Sequence, residues 1–228
     1  IPERVGPVRS LRPYFIDALQ PMVDVVVHAG GSPEAFERVD RGEIHAINLL
    51  RYYDDAERDP DVPEPHNLFV RSDKITKLVP DDLPLAAWPP YEIGTAPTGS
   101  AALLVKLNNY NYYHNVLYTY HRLTDSYVRS SGDVADQGSP RNVLILEAPI
   151  TGVGEHGRLT IPLAGQGRAV LFRSGKVQTG TWSKKGLYDP FVFETEDGKP
   201  FLFAPGQTWM TGVPSMERVS WSAEAESE

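Results

Sequence analysis

Proline and glycine are concentrated in one stretch of this chain, and that stretch limits how the chain can fold. The 228 residues include 20 Pro and 19 Gly, and their densest cluster runs from Pro80 to Gly99. Because Pro and Gly interrupt helices and strands, we predict a domain boundary there. The predicted parts are an N-terminal domain at residues 1–95, a second domain at 96–222 and an acidic tail at 223–228.

The two predicted domains carry different residue patterns. Before the boundary, helical segments at 14–19, 34–39 and 73–79 alternate with an apolar, β-branched strand at Val23 to His28. After Ser100, nearly every segment resembles a short strand, with tight hairpins at Ser174-Gly175 and Asp197-Gly198. The sequence therefore predicts an α+β fold, with an N-terminal α/β domain of short helices and a small mixed sheet, and a C-terminal β-rich antiparallel domain.

Composition excludes several functional classes. The formal net charge of -8 argues against a general nucleic-acid binder, which needs a basic face. The absence of Cys removes disulfides, thiolate metal ligands and Cys nucleophiles.

We interpret Gly165-Gln166-Gly167 as a turn and not as a dinucleotide-binding loop, and Asp133 and Asp136 as turn residues. The sequence predicts no metal and no cofactor, and it identifies no catalytic residue.

Ten residues at the ends of predicted elements form the candidate ligand site. They lie in three loops: Arg9, Ser10 and Arg12; then His28, Gly30, Gly31 and Ser32; then His66, Asn67 and Arg71. A glycine turn that leads into a helix presents free backbone N–H groups, and nearby arginines add charge, so this group suits a phosphate or a carboxylate. We expect Arg9, Arg12 and His66 to meet in one pocket. The alternative is purely structural: paired arginines, a Ser32 helix cap and a hydrogen-bonded core His28.

Aromatic residues are frequent in the β-rich half. Alternation would place Gln178, Gly180, Trp182 and Lys184 on one face of a strand, and such a mixed polar and aromatic surface could stack on sugar rings. We favour the other interpretation, in which Trp182 and Trp209 fill the core of a β domain.

Several short motifs resemble a known family across most of the chain. The N-terminal ones are Gly6-Pro7-Val8-Arg9-Ser10-Leu11-Arg12-Pro13, His28-Ala29-Gly30-Gly31-Ser32-Pro33 and Pro65-His66-Asn67-Leu68; the C-terminal ones are Tyr127-Val128-Arg129, Arg141-Asn142-Val143, Gly180-Thr181-Trp182-Ser183-Lys184 and Gly206-Gln207-Thr208-Trp209. Together they resemble the bacterial YerB-like lipoproteins. The resemblance implies a two-domain protein on the outer side of the cell membrane, held in many members by a lipidated Cys. It implies no established activity, cofactor or catalytic residue.

The chain departs from that family pattern at its start. Family members carry a substantial stretch of the first domain before the Gly6-Pro7 motif, whereas five residues precede it here. We expect one of two explanations. Either the chain is processed, or another chain or segment completes the first domain. A membrane would be reached only through a lipid anchor that this chain lacks, so the extracytoplasmic, membrane-associated location follows from the resemblance alone.

Three functional hypotheses remain open at this stage. The preferred one is an extracytoplasmic binding protein whose first-domain cleft takes an anionic group, such as a phosphorylated or carboxylated envelope glycan or a small anion. The second is a hydrolase or transferase that acts on an envelope polymer, with Ser10 or Ser32 as nucleophile and His28 or His66 as base. The third is an envelope scaffold that docks partners through its β-rich domain.

Overall fold

The computed structural model describes residues 2–20, 22–52, 54–83, 91–95, 99–132, 134–135, 138–154 and 158–224. The chain divides into two compact units, Ile1–Pro89 with Gly186–Pro190 and Pro90–Lys185 with Phe191–Glu228. The first unit also takes the short segment Gly186–Pro190 from the second half, where Leu187 packs against the helical core of that unit. The predicted boundary after residue 95 stays a prediction.

The first unit combines three short helices with two small sheets. Its elements are β1 (Arg4–Val5), α1 (Pro13–Leu19), β2 (Val26–His28), α2 (Pro33–Asp40), β3 (Ala46–Asn48), β4 (Ala56–Arg58), β5 (Leu68–Arg71) and α3 (Ser72–Leu78). Strands β2 and β3 pair in parallel, whereas β5 pairs antiparallel with β1 and with β4. The predicted helices are present, and the predicted strand at Val23 to His28 is confined to its last three residues.

A buried arginine ties the helices of the first unit together. Arg38 on α2 donates from Nη2 to Asp17 at 2.7 Å, from Nε to Glu43 at 2.5 Å and from Nη1 to the Pro13 carbonyl at 3.1 Å. These contacts raise the pKa of Arg38 against the opposing effect of burial, which is the larger single influence. Since all three partners lie outside α2, the guanidinium fixes the packing of α2 against α1.

The main elements of the second unit are strands. Its strands are β6 (Leu104–Leu107), β7 (Val116–His121), β8 (Ser126–Ser131), β9 (Val134–Ala135), β10 (Asn142–Glu147), β11 (Thr151–Gly154), β12 (Arg158–Thr160), β13 (Gly165–Arg173), β14 (Lys176–Lys184), β15 (Val192–Thr195), β16 (Thr208–Val213) and β17 (Val219–Ser222). Two five-stranded sheets have the orders β15-β14-β13-β10-β16 and β17-β6-β7-β8-β9, and β11 pairs with β12. The predicted α+β fold class is confirmed.

Both predicted hairpin turns are present. Ser174 and Gly175 connect β13 to β14 with φ angles of 49° and 68°, the positive values that a tight hairpin needs. Gly198 follows β15 with φ of 76°, and the Thr195 amide donates to the Lys199 carbonyl at 2.7 Å. Strands β13 and β14 pair antiparallel over nine residues each, whereas β10 and β16 pair in parallel, so the predicted antiparallel domain contains a parallel pair.

Trp182 belongs to the interior of the second unit. Its indole Nε1 donates to the Glu147 carbonyl at 2.9 Å, and Gln178 and Lys184 on the same strand are also buried. The face considered for sugar stacking is therefore an internal surface, and that alternative is wrong. Trp209 is half-buried and packs against the cluster between the sheets, which agrees with the preferred interpretation.

The predicted turn at Gly165-Gln166-Gly167 is instead the first part of strand β13. Gly167 lies so close to its neighbours that a Cβ atom would come within 2.3 Å of the Glu147 carbonyl oxygen and 2.6 Å of the Trp182 Nε1. Glycine here permits a close approach between strands, a use that a local reading of the sequence cannot distinguish from a turn.

Within the described ranges no helix is long and apolar enough to cross a membrane, and no three His, Asp or Glu side chains there are grouped as metal ligands. Asp133 and Asp136 lie outside the described residues.

We predict that Gly167→Ala destabilises the second unit by about 2–3 kcal/mol, because the new methyl group overlaps backbone and the Trp182 indole. Gly212→Ala is the matched control, since Gly212 also lies in a strand but has no heavy atom within 4 Å of the position a Cβ would take. Urea denaturation of both variants measures the difference. Equal stabilities of the two variants would contradict the argument from close approach.

Candidate functional site

Two of the three predicted loops lie side by side in the first unit. The Ala29 amide donates to the Arg9 carbonyl at 2.9 Å, the Leu11 amide to the Gly30 carbonyl at 2.9 Å, and the Ser32 amide to the Leu11 carbonyl at 3.2 Å. This is a parallel ladder, and it extends the parallel pairing of β2 with β3. Three chain segments therefore run in parallel, and their carboxyl ends meet at one edge, where open α/β sheets usually bind ligands.

The Gly30 peptide connects these three segments. Its carbonyl accepts from the Leu11 amide at 2.9 Å and from His28 Nδ1 at 2.8 Å, and its amide donates to Asn48 Oδ1 at 3.1 Å. Gly30 has a φ of 69°, a conformation that glycine adopts without steric cost. The Asn48 side chain also accepts from the Leu50 amide at 3.2 Å, so it fixes the turn after β3.

His28 is held as a neutral imidazole. Because the Gly30 carbonyl can only accept, Nδ1 must carry the ring hydrogen, which leaves Nε2 with its lone pair. Burial lowers the pKa of His28, and the positive charge of Arg51 lowers it further, although the hydrogen bond to Gly30 acts in the opposite direction. The buried His28 side chain therefore offers a hydrogen-bond acceptor at neutral pH.

A cavity of about 90 Å³ adjoins His28 at this edge. Its polar lining consists of His28, Asp40, Asn48, Arg51 and Tyr52. Arg51 is exposed and has no hydrogen bond or ion pair within the described ranges, so its guanidinium is available to a ligand. The cavity therefore combines the guanidinium of Arg51, the neutral acceptor Nε2 of His28 and the carboxylate of Asp40.

The third predicted loop touches the first through Arg9. The Arg9 Nη1 donates to the Pro65 carbonyl at 2.8 Å, which places Arg9 against the residue that precedes the exposed His66. Arg12 makes a local contact, from Nη1 to the Leu11 carbonyl at 3.0 Å. The structure thus joins Arg9 to the His66 loop, while the meeting of Arg9, Arg12 and His66 in one pocket stays a prediction.

Other members of the predicted site have structural partners. Ser32 Oγ accepts from the Ala35 amide at 3.3 Å and caps α2, and Asn67 Oδ1 accepts from Arg58 Nη1 at 2.7 Å. Arg71 donates to Glu3 at 2.8 Å and to Asp73 at 3.0 Å.

Gly31 and Ser10 are two further residues of the predicted site. Gly31 lies close to the neighbouring segment, since a Cβ would be 3.3 Å from the Leu11 carbonyl. Ser10 is half-buried, and in the described part of the chain no hydrogen bond joins Ser10 or Ser32 to His28 or His66.

Sequence reasoning missed Asn48, Arg51 and Tyr52. The signal was a short, largely apolar segment, Ile44-His45-Ala46-Ile47-Asn48, in which Ile44 and Ile47 are buried. Had that segment been taken as a strand parallel to Val26–His28, the polar residues that follow it would have been candidates for the same edge.

Comparison with known proteins identifies the family. Residues 1–83 match the domain described as "Protein of unknown function (DUF3048) N-terminal domain", and residues 105–210 match the corresponding C-terminal domain. The chain belongs to the DUF3048 family. It is 29% identical over 240 residues to "Putative lipoprotein YerB" of Bacillus subtilis (strain 168), an alignment that covers 97% of this chain and 70% of that protein.

The structure of this DUF3048 protein is also similar to a solved one. The crystal structure of the YerB protein from Bacillus subtilis matches it with a TM-score of 0.83 at 29% identity, over 97% of this chain and 78% of the other. The resemblance to YerB-like lipoproteins is confirmed. The two DUF3048 domain matches leave residues 84–104 between them, which includes most of the proline- and glycine-rich stretch.

We predict that His28 makes the stability of the first unit depend on pH in the weakly acidic range. Because its pKa is lowered in the folded state, the unfolded state takes up the proton first, so the free energy of unfolding decreases as pH falls below about 6.5. His28→Asn keeps an N–H donor for the Gly30 carbonyl but cannot titrate there. Urea denaturation between neutral pH and the lowered pKa should show a smaller loss of stability in the variant than in the parent, and parallel pH profiles would contradict this role.

Proposed function

We propose that this DUF3048 protein acts outside the cytoplasmic membrane as a binding protein whose first unit recognises a small anionic group. The observation that carries the proposal is the Arg51 guanidinium, which has no partner in the described ranges and lines the same cavity as His28. An extracytoplasmic location is supported by the description of the Bacillus subtilis relative as a lipoprotein. The position at the carboxyl ends of parallel segments supports a ligand site of this kind.

The chemistry of the cavity narrows the ligand class. Arg51 can bind a phosphate or a carboxylate through two parallel N–H groups. His28 contributes an acceptor at Nε2, so it favours a ligand that also donates a hydroxyl hydrogen. Asp40 lines the cavity as well and would repel a second negative charge on the ligand. We therefore assign the site to a group that pairs one anionic centre with a hydroxyl, as in a phosphorylated or carboxylated sugar.

The remaining predicted residues have a supporting part in this proposal. Arg9 and the exposed His66 lie at neighbouring surface loops joined through Pro65, and Arg12 ends the segment paired with Gly31. We assign them to contacts with the rest of a larger glycan. The catalytic alternative, with Ser10 or Ser32 and a histidine, has no hydrogen bond in its favour among the described residues.

The proposal predicts that Arg51→Gln weakens binding of glycerol 3-phosphate by about 1.5–3 kcal/mol, because a charge-assisted contact is lost. Asp40→Asn should strengthen binding of the same compound, since it removes a like charge from the cavity wall. Arg122→Gln is a control with the same change in net charge at an exposed position of the second unit. Calorimetry with the full chain measures all four proteins.

Neutral glycerol and inorganic phosphate serve as comparison ligands in that experiment. We expect glycerol to bind much more weakly than glycerol 3-phosphate, and phosphate to bind with an intermediate affinity. Equal affinities for glycerol and glycerol 3-phosphate would contradict the proposal of an anion site. If Arg51→Gln binds glycerol 3-phosphate as tightly as the parent does, the anion does not bind in this cavity.

A further inference from the structure

A trough on the second unit has no part in the proposed anion site. Its volume is about 460 Å³, which is within the range of small-ligand sites. The polar residues that define this tyrosine trough are Lys106, Asn108, Tyr112, Asn115, Ser130 and Ser220. The trough lies on one sheet and its adjoining loop, and it needs no residue from the first unit.

The floor of the trough is one row of residues across four strands. Ser220 on β17 is opposite Lys106 on β6, Lys106 is opposite Leu117 on β7, and Leu117 is opposite Ser130 on β8. Side chains of opposed residues point to the same face of a sheet. The adjacent residues Val105 and Val116 belong to the core, so this row is on the outward face.

A loop rich in Asn and Tyr forms the wall at the ends of β6 and β7. Asn108 Oδ1 accepts from the Tyr110 amide at 2.9 Å, Asn111 Oδ1 accepts from the Tyr113 amide at 3.0 Å, and Asn115 Oδ1 accepts from the Asn109 amide at 2.7 Å. Three amide side chains therefore fix the backbone of the loop before any ligand binds. Such pre-organisation reduces the entropy cost of binding.

The fixed loop presents its tyrosines to solvent. Tyr110, Tyr112 and Tyr113 are 73%, 56% and 74% exposed, and the rings of Tyr112 and Tyr113 meet edge to face at 5.5 Å. Tyr110 has a φ of 55°, which is unusual for a residue with a side chain, and the Arg218 guanidinium lies 4.6 Å from its ring centre. Ser131 Oγ anchors the loop by donating to the Tyr113 carbonyl at 2.9 Å. The loop thus holds several aromatic rings outside the core.

The hydrogen-bonding groups beside Tyr112 are mainly donors. Because Asn108 and Asn115 use their Oδ1 atoms to hold the loop, their Nδ2 groups face no partner in the described ranges. Ser130 and Ser220 add hydroxyl groups. An exposed ring beside several donors suits a ligand with an apolar ring face and many oxygen acceptors.

We propose that the tyrosine trough is a carbohydrate-binding site, in which a sugar ring lies on Tyr112 and its oxygens accept hydrogen bonds from Asn108 and Asn115. Acetamido sugars fit best, since their carbonyl oxygens match the amide donors. A polyanion fits poorly, because Lys106 is the only cation among the described residues of the lining.

The test is a titration of the full chain with chitotetraose, a hyaluronan tetrasaccharide and cellotetraose, followed by amide chemical shifts. We expect chitotetraose to shift resonances of the loop at 108–115 and of the facing strands, with weaker binding of cellotetraose. Tyr112→Ala should reduce the affinity about tenfold or more, whereas Tyr112→Phe keeps the ring and should bind nearly as the parent does. Tyr188→Ala, at an exposed tyrosine of the first unit, is the control and should have no effect.

A second variant separates ligand contact from loop structure. Asn108→Asp retains an oxygen to accept from the Tyr110 amide but removes the Nδ2 donor, so the loop should persist while affinity for chitotetraose falls severalfold. The proposal is overturned if none of the three oligosaccharides binds at millimolar concentration, if the shifts lie away from the trough, or if Tyr112→Ala binds as the parent does. Arg51→Gln should bind chitotetraose unchanged, which keeps this test independent of the proposed anion site.

Discussion

The peptide of Gly30 is the point on which the candidate site of the first unit depends. One carbonyl accepts from Leu11 and from the His28 ring, and the amide of the same residue donates to Asn48. These bonds join three segments that are distant in sequence. Because they are buried or half-buried, losing one would leave a polar group without water or a partner, at a cost of about 1–3 kcal/mol. The arrangement also determines the tautomer of His28 and hence which ring nitrogen a ligand can meet.

The buried arginines of the two units have different kinds of partner. In the first, Arg38 is paired with the carboxylates of Asp17 and Glu43. In the second, Arg173 donates to the carbonyls of Gly94 and Leu202, and burial lowers its pKa. Both guanidiniums connect segments far apart in the chain, so each specifies packing. Among the described residues, however, the buried Arg173 Nε has no hydrogen-bond partner. No atom of the Arg51 guanidinium, by contrast, has such a partner in the part of the chain that the structure describes, which is why Arg51 is a ligand-binding candidate.

The two proposed sites would recognise different features of oxygen-rich ligands. The cavity at Arg51 offers positive charge and an acceptor, whereas the tyrosine trough offers an aromatic face and amide donors. Each is built on a sheet edge or face that its own unit supplies, so each can be tested in the presence of an intact neighbour. A charged glycan outside the membrane would carry groups suited to both, which connects the proposals to the lipoprotein description of the Bacillus subtilis relative.

Local sequence signals determined the helices, both hairpins and the two-part organisation, because caps, proline positions and paired turn residues act within a few residues. They also identified the loops at Arg9 and His28. Only the tertiary structure decided which loops share an edge, since the parallel pairing of Leu11 with Gly31 and of His28 with Asn48 joins residues about twenty apart. It likewise showed that Gly167 lies within a strand and brought Arg51 to the cavity. Both outcomes depend on close contacts between distant segments, which spacing along the chain does not encode.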